Sequence, residues 1–321
     1  MAKHDQRFKT LLREFFREFM LLFWPRWFAR LDFSQIEWLE QEVFPDPPSG
    51  KRGEMDLLAQ VSAVGAQGDR WLSLLHVEID SDDTVAPLRR RMHWYYTCTR
   101  HKHNLPVLPL ALYLGVGLDG LGVDAYHENY QLSDDDQGEL KLDVLRFRYY
   151  YVGLPGLDAL EYLQNDNLLA QALVGLMRIP PGRKAWIKAE ALRKIYDSQE
   201  NELRQHLLSE CLEAYLVLDE EEEDEFQQIT QEEEYSRVIQ VGKTTKELGI
   251  ELGIEQGIEQ GIEQGRRNAF QDLIEQKFGV PRATLQQSLE HWSEKQIRQG
   301  LAKILTAESL EDLGLSLSSQ D

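Results

Sequence analysis

Two stretches decide the fold: Gly53-Glu54-Met55-Asp56-Leu57-Leu58-Ala59-Gln60-Val61 and Trp71-Leu72-Ser73-Leu74-Leu75-His76-Val77-Glu78-Ile79-Asp80. Each reads as a short apolar strand interrupted by carboxylates that an ordinary core strand does not hold. The intervening Ser62 to Arg70, with Gly65 and Gly68, is rich in turn residues, so the spacing predicts a hairpin. Side chains alternate along a strand. Leu75, Val77 and Ile79 are therefore expected to face the core, while His76, Glu78 and Asp80 share the other face and point outward together. On the partner strand Asp56 shares a face with Leu58 and Gln60, and the right register sets Asp56 beside Glu78.

Carboxylates that converge on one sheet edge ask for a cation. Hard divalent ions such as Mg2+ take oxygen ligands and keep several waters. Asp56, Glu78 and the backbone carbonyl of Ile79 are enough to hold one against a substrate phosphate. Such an ion polarises the phosphate and lowers the pKa of an attacking water. A plainer reading stands beside this one. Carboxylates near strand ends commonly face solvent, and Ser81-Asp82-Asp83-Thr84 has the composition of a helix N-cap.

Working outward, Phe8, Leu11, Leu12, Phe15, Phe16, Phe19, Leu22 and Phe23 recur at helical spacing, predicting a helix from Asp5 to Phe23 that Pro25 ends. Leu31 to Val43 is ambiguous, and Pro45, Pro47, Pro48 and Gly50 force a loop. After the hairpin, Thr84 to Lys102 reads as a helix. Val107 to Val116 reads as a buried strand and Asp143 to Val152 as a further strand. From Leu157 to Leu218 the pattern turns helical. The acidic run Asp219 to Glu225, with Glu232 to Glu234, reads as a solvated linker.

The chain has 321 residues, 42% of them hydrophobic, which is long enough for a sizeable core and a second unit. A formal charge of -20 argues against nonspecific coating of nucleic acid, which needs basic surface, but leaves room for a local basic groove. Cys98 and Cys211 define neither a disulfide framework nor a zinc site. The apolar stretch Phe15 to Phe28 carries Arg17, Glu18, Pro25 and Arg26, so it is a poor membrane span. The charged start Met1-Ala2-Lys3-His4-Asp5 is unlike a secretory signal, so no membrane association and a cytoplasmic location are expected.

The helix after the acidic strand supplies the best basic footprint. Arg89, Arg90 and Arg91, then Arg100, His101, Lys102 and His103, bracket Trp94, Tyr95 and Tyr96. Arg89, Arg91, Tyr95, Arg100 and Lys102 are the candidate nucleic-acid contacts. The arginines read equally well as partners of nearby surface acids, and the aromatics read more readily as core material. His76 reads as a supporting or packed residue rather than a ligand.

Gly249-Ile-Glu-Leu, Gly253-Ile-Glu-Gln, Gly257-Ile-Glu-Gln and Gly261-Ile-Glu-Gln, closing at Gly265, form a four-residue repeat. Each step advances the stripe by roughly 40° on an α-helix, and each Gly costs about 1 kcal/mol relative to Ala. The repeat is a weak helix that serves as a spacer or gains stability by self-association, giving a homo-oligomer. Arg266 to Leu317 then reads as two or three short helices.

The ordered run His4-Asp5-x-x-Phe8-Lys9-x-Leu11-Leu12, Arg52-x-x-x-Asp56-Leu57-Leu58, His76-Val77-Glu78 and Arg91-Met92-x-x-Tyr95 resembles the Rpn family of recombination-promoting nucleases and putative transposases, within the PD-(D/E)XK superfamily. The resemblance covers about the first half of the chain. It implies an α/β fold: a restriction-endonuclease-like mixed central sheet flanked by helices, here followed by an all-helical C-terminal half. It also implies a Mg2+-dependent DNA endonuclease, with Mn2+ as substitute, using Asp56 and Glu78 as metal ligands. A supporting acid from the first helix is implied too, for which Glu14 or Glu18 is the candidate. One position departs: Asp80 stands where the superfamily has Lys and this family often has Gln. Asp80 cannot stabilise developing negative charge, although it can add a ligand. The final segment resembles a domain family of unassigned role.

The expected organisation is a nuclease-like domain over 1–155 and a helical extension over 156–218. An acidic linker over 219–248, the repeat over 249–265 and a small helical domain over 266–321 follow. The expected function is DNA hydrolysis at Asp56, Glu78, Asp80 and Glu14, linked to recombination or a mobile element. The alternative is a catalytically silent nuclease-like scaffold for protein interaction or oligomerisation.

Overall fold

The apolar stripe of the N-terminal segment is buried as its period requires, but along two helices rather than one. In the computed structural model α1 (Ala2–Glu14) and α2 (Phe16–Phe23) meet at Phe15, whose φ of -109° and ψ of 30° bend the axis. Pro25 does not stop the chain's helical course. It opens a short helix, α3 (Pro25–Phe28), at the first-turn position where a missing N–H costs nothing. The structure describes residues 2–39, 42–45, 52–65, 69–80, 85–115, 117–134, 138–241, 265–281, 285, 289, 292, 294–304, 306, 307, 309–313 and 315.

The sheet strands are β1 (Leu31–Trp38), β4 (Leu57–Val64), β5 (Arg70–Asp80), β6 (Val107–Tyr113), β7 (Gly120–Asp134) and β8 (Gly138–Gly153). A separate ribbon pairs β2 (Glu42–Pro45) with β3 (Arg52–Glu54). The large sheet runs in the order β1-β4-β5-β6-β8-β7. β4 and β5 form the expected antiparallel hairpin. Helix α4 (Val85–His103) then carries the chain over the sheet so that β6 pairs parallel to β5. β8 pairs parallel to β6, and β7 folds back on β8 as a long antiparallel hairpin. Two sheet strands go beyond the sequence expectation. β1 and β7 are the two edges, and both carry a polar, incompletely buried pattern that lacks the alternation of a half-buried strand.

The two faces of the sheet are covered differently. Leu57, Ala59, Val61, Leu75, Val77, Ile79, Leu110 and Leu112 pack with Phe8, Leu11, Phe15, Phe16 and Phe19 of α1 and α2 in one core. The same core takes in the helices α5 (Ala159–Leu163), α6 (Leu168–Leu173), α7 (Lys184–Asp197) and α8 (Glu202–Tyr215). On the other face α4 packs alone, with Tyr95 and Cys98 against Leu58 and Leu74, and Leu88 and Met92 against Ala111, Tyr113 and Tyr149.

The acidic run is not a linker. It is helix α9 (Glu220–Thr230), opened by a capping box in which Asp219 accepts from the Glu222 N–H and Glu222 accepts from the Asp219 N–H. Four glutamates in its first turn oppose the positive end of the helix dipole, which explains how so charged a run folds. Phe226 and Ile229 pack on the main core.

By contacts the chain divides into Met1–Lys243 and Thr244–Asp321. The second unit has its own core, including Phe270, Ile274, Leu285, Leu289, Ile297 and Ile304, with helices over 265–278 and Glu294–Lys303. The glycine repeat from Gly249 to Gly261, and with it the expected self-association helix, lies outside the described residues. No helix among the described residues is long and apolar enough to cross a membrane.

Candidate acidic centre beneath helix α4

The β4–β5 register runs Leu57 against Val77, Leu58 against His76 and Ala59 against Leu75. One step beyond Leu57–Val77, Asp56 meets Glu78, and each fixes the other's strand through the backbone. The Asp56 N–H donates to Glu78 Oε1 at 3.1 Å, and the Ile79 N–H donates to Asp56 Oδ2 at 2.7 Å. The two predicted ligands are thus brought together by the pairing read from the sequence, and Ile79 contributes its N–H to the same knot.

The expectation that this face points outward is overturned. Asp56 is 8% exposed, Glu78 1%, Asp80 3% and His76 0%, because α4 roofs this face. His76 Nε2 lies 2.9 Å from Glu78 Oε1, while its enclosed Nδ1 finds no hydrogen-bond partner. In the neutral ring this places the proton on Nε2, donating to Glu78. His76 is a buried support, as expected, with Tyr95 edge-on at 5.8 Å.

Two cations close the centre. Lys9 Nζ, from α1, stands 2.8 Å from Asp56 Oδ1. Arg91, from α4, bridges two carboxylates: Nε donates to Glu78 Oε2 and Nη2 to Asp80 Oδ1, both at 3.2 Å. Burial first, and then the neighbouring Glu78, push the Asp56 carboxyl up to about 6, although Lys9 and the Ile79 N–H pull against them. For Arg91 burial works against the charge, but Glu78 and Asp80 outweigh it and hold the guanidinium above its ordinary value.

A second polar strip adjoins the first beneath α4. Arg89 donates from Nε and Nη2 to the two oxygens of Asp124 at 2.7 and 3.0 Å, and the Tyr149 hydroxyl donates to the same carboxylate at 2.6 Å. Burial opposes ionisation of Asp124, yet Arg89 and Tyr149 hold it below the usual range. Tyr113, beside Asp80 in the β5–β6 pairing, has its hydroxyl 3.4 Å from that of Tyr149, and burial pushes it up to about 12.

Several expected site residues fall elsewhere. Glu14 and Glu18 do not reach the centre. They bind Arg204 of α8 at 2.8 and 2.9 Å, and the residue α1 sends to Asp56 is Lys9. Arg89 and Arg91 are not a free phosphate-binding surface but are tied to carboxylates. Tyr95 is buried core material. Arg100 is partly buried and Lys102 exposed. Arg89 and Arg100 are separated by eleven residues of one helix, about 16 Å, so the basic residues form no single patch. Lys9 carried a signal that was not used: a lone cation inside the apolar stripe Phe8, Leu11, Leu12. The Tyr149–Asp124 strip depends on β7, which the apolar pattern does not disclose.

The donor set is chemically that of a hard-cation site, but its arrangement is not. Among the described residues no group of three or more histidine, cysteine or carboxylate side chains is placed to hold a metal ion. The carboxylate oxygens are turned to Lys9, Arg91, His76 and backbone N–H groups. As arranged, these residues do not fit a divalent cation. No protein-family model matches the chain, and neither a curated protein nor a solved structure matches it.

Proposed function

We propose that this chain is a DNA endonuclease of the Rpn type, with a restriction-endonuclease-like sheet, hydrolysing phosphodiester bonds at the centre around Asp56 and Glu78. The observation that carries the reading is the cross-strand knot in which Asp56 and Glu78 each accept the other segment's backbone N–H. Burying such a pair beside Asp80 is costly, and an apolar set of similar volume is commonly at least as stable. Perturbed, buried carboxylates of this kind concentrate at chemical sites. The mixed sheet and the roofing helix agree with the fold that the sequence resemblance implies. Oxygen donors of this kind call for Mg2+, or Mn2+, as cofactor, and DNA is the proposed partner.

The test is a plasmid-nicking assay with Mg2+, Mn2+ or neither. The wild-type chain is expected to nick in a metal-dependent way, and Asp56→Ala and Glu78→Ala to lose the activity by more than about 100-fold. Absence of nicking by the wild type under all three conditions defeats the reading.

One observation favours the second reading, a catalytically silent scaffold. Asp80 occupies the place of a cationic or amide side chain, and its charge is spent on Arg91 within the protein. A wild-type chain that neither nicks DNA nor responds to metal, yet folds normally, fits that scaffold.

A further inference from the structure

The acidic centre is balanced by side chains of unequal mobility. Lys9 is well covered, at 14% side-chain exposure, whereas Arg91 is 32% exposed over partners that are 2% and 3% exposed. The carboxylates are fixed by the strands and by His76. The arginine reaches them from the edge of the roof, and its own charged head touches solvent. A guanidinium fork that spans two carboxylates also matches a phosphate oxygen pair.

We propose that Arg91 is an exchangeable counter-ion. In the resting protein it neutralises Glu78 and Asp80, and an arriving DNA phosphate draws it off, so that the centre opens to a divalent cation only when DNA is bound. This inference rests on the nuclease reading above and names how that site is regulated. Removing the guanidinium leaves two buried carboxylates uncompensated, a costly state that a cation relieves. Phosphate and cation therefore each favour the other's binding, and by linkage the coupling is reciprocal. It also gives Asp80 a purpose: with Glu78 it forms the two-carboxylate seat on which Arg91 rests.

The experiment measures Mn2+ binding to the full chain by titration calorimetry, with and without a short DNA duplex. Wild type is expected to bind Mn2+ at least about tenfold more tightly when DNA is present. Arg91→Met, which keeps length and loses charge, is expected to bind Mn2+ about tenfold more tightly than wild type without DNA, and to lose most of the DNA effect. Arg91→Lys, which keeps the charge but not the fork, is expected to fall between them, and it serves if the Met variant does not fold. Equal Mn2+ affinity in wild type and either folded variant, or no effect of DNA on wild type, overturns the proposal. Unchanged Mn2+ affinity in a chain that still nicks DNA removes the counter-ion role alone. Tighter Mn2+ binding by Arg91→Met in a chain that never nicks removes the nuclease reading alone.

Discussion

Two clusters in the first unit each gather three carboxylates around one arginine, and they are built inside out from each other. Around Arg204 stand Glu14, Glu18 and Glu200, with the arginine 16% exposed and its partners 30–43% exposed. Arg204 also lies over the Phe15 ring at 3.9 Å. Around Arg91 the carboxylates are the buried partners and the arginine is the exposed one. The first arrangement pins α1 and α2 to α8, and solvent shields its acids. The second puts the acids where solvent cannot shield them and leaves the cation able to depart. Composition alone makes the two look alike; burial assigns one to stability and the other to chemistry.

The sharpest way to break this comparison is to remove each arginine. Arg91→Met is expected to cost about 3 kcal/mol, since buried carboxylates lose their partner. A fold with a typical reserve of about 5–15 kcal/mol tolerates that loss. Added Mg2+ is expected to restore part of it. Arg204→Met is expected to cost about 1–2 kcal/mol through its ring contact and exposed pairs, with no response to Mg2+. Urea denaturation with and without the ion measures both. Equal costs and equal responses erase the distinction.

A smaller effect separates the clusters by pH. Asp56 has its folded pKa raised to about 6 from 3.8, so the folded state holds a proton that the unfolded state has released across that interval. Stability from this group is present at low pH and is lost as pH rises through the folded value. Between about pH 4.5 and about pH 7 the wild type is expected to lose about 2 kcal/mol on this account, and Asp56→Asn to lose correspondingly less. Denaturation midpoints at the two pH values measure the slope. An identical slope in the variant shows that Asp56 does not carry the strain assigned to it.

The sequence disclosed the part of this fold that rests on local pattern. The Asp56–Glu78 register followed from period-two alternation alone, because a slip of one residue turns Val77 and Ile79 out of the core. The helical stripe of α1 and α2 followed from its period. What alternation could not say is whether the second face meets water or a helix, and so Glu78 and Asp80 were expected outside. That answer depends on α4 crossing the sheet, a contact between segments that no local pattern encodes. The same limit misplaced Glu14. A carboxylate on α1 can reach the centre or α8 according to how the helix is rotated, and the apolar stripe puts Lys9, not Glu14, over Asp56. The acidic run misled for a different reason. Seven consecutive acids suggest solvated chain, but the Asp219 and Glu222 box and the helix dipole turn the first of them into a helix start.

The smallest expected effect bears on Glu14, and it tests the comparison from the quiet side. Its side chain is 43% exposed and shares Arg204 with two other acids. An exposed pair of this kind contributes little, because water already solvates both charges and the long side chains lose freedom to hold it. Glu14→Gln is therefore expected to change stability by less than about 0.5 kcal/mol and to leave DNA nicking at the wild-type rate. If nicking falls by the factor expected for Asp56→Ala, α1 must swing during the reaction. The Arg204 cluster would then be a latch on the acidic centre rather than a clamp between helices.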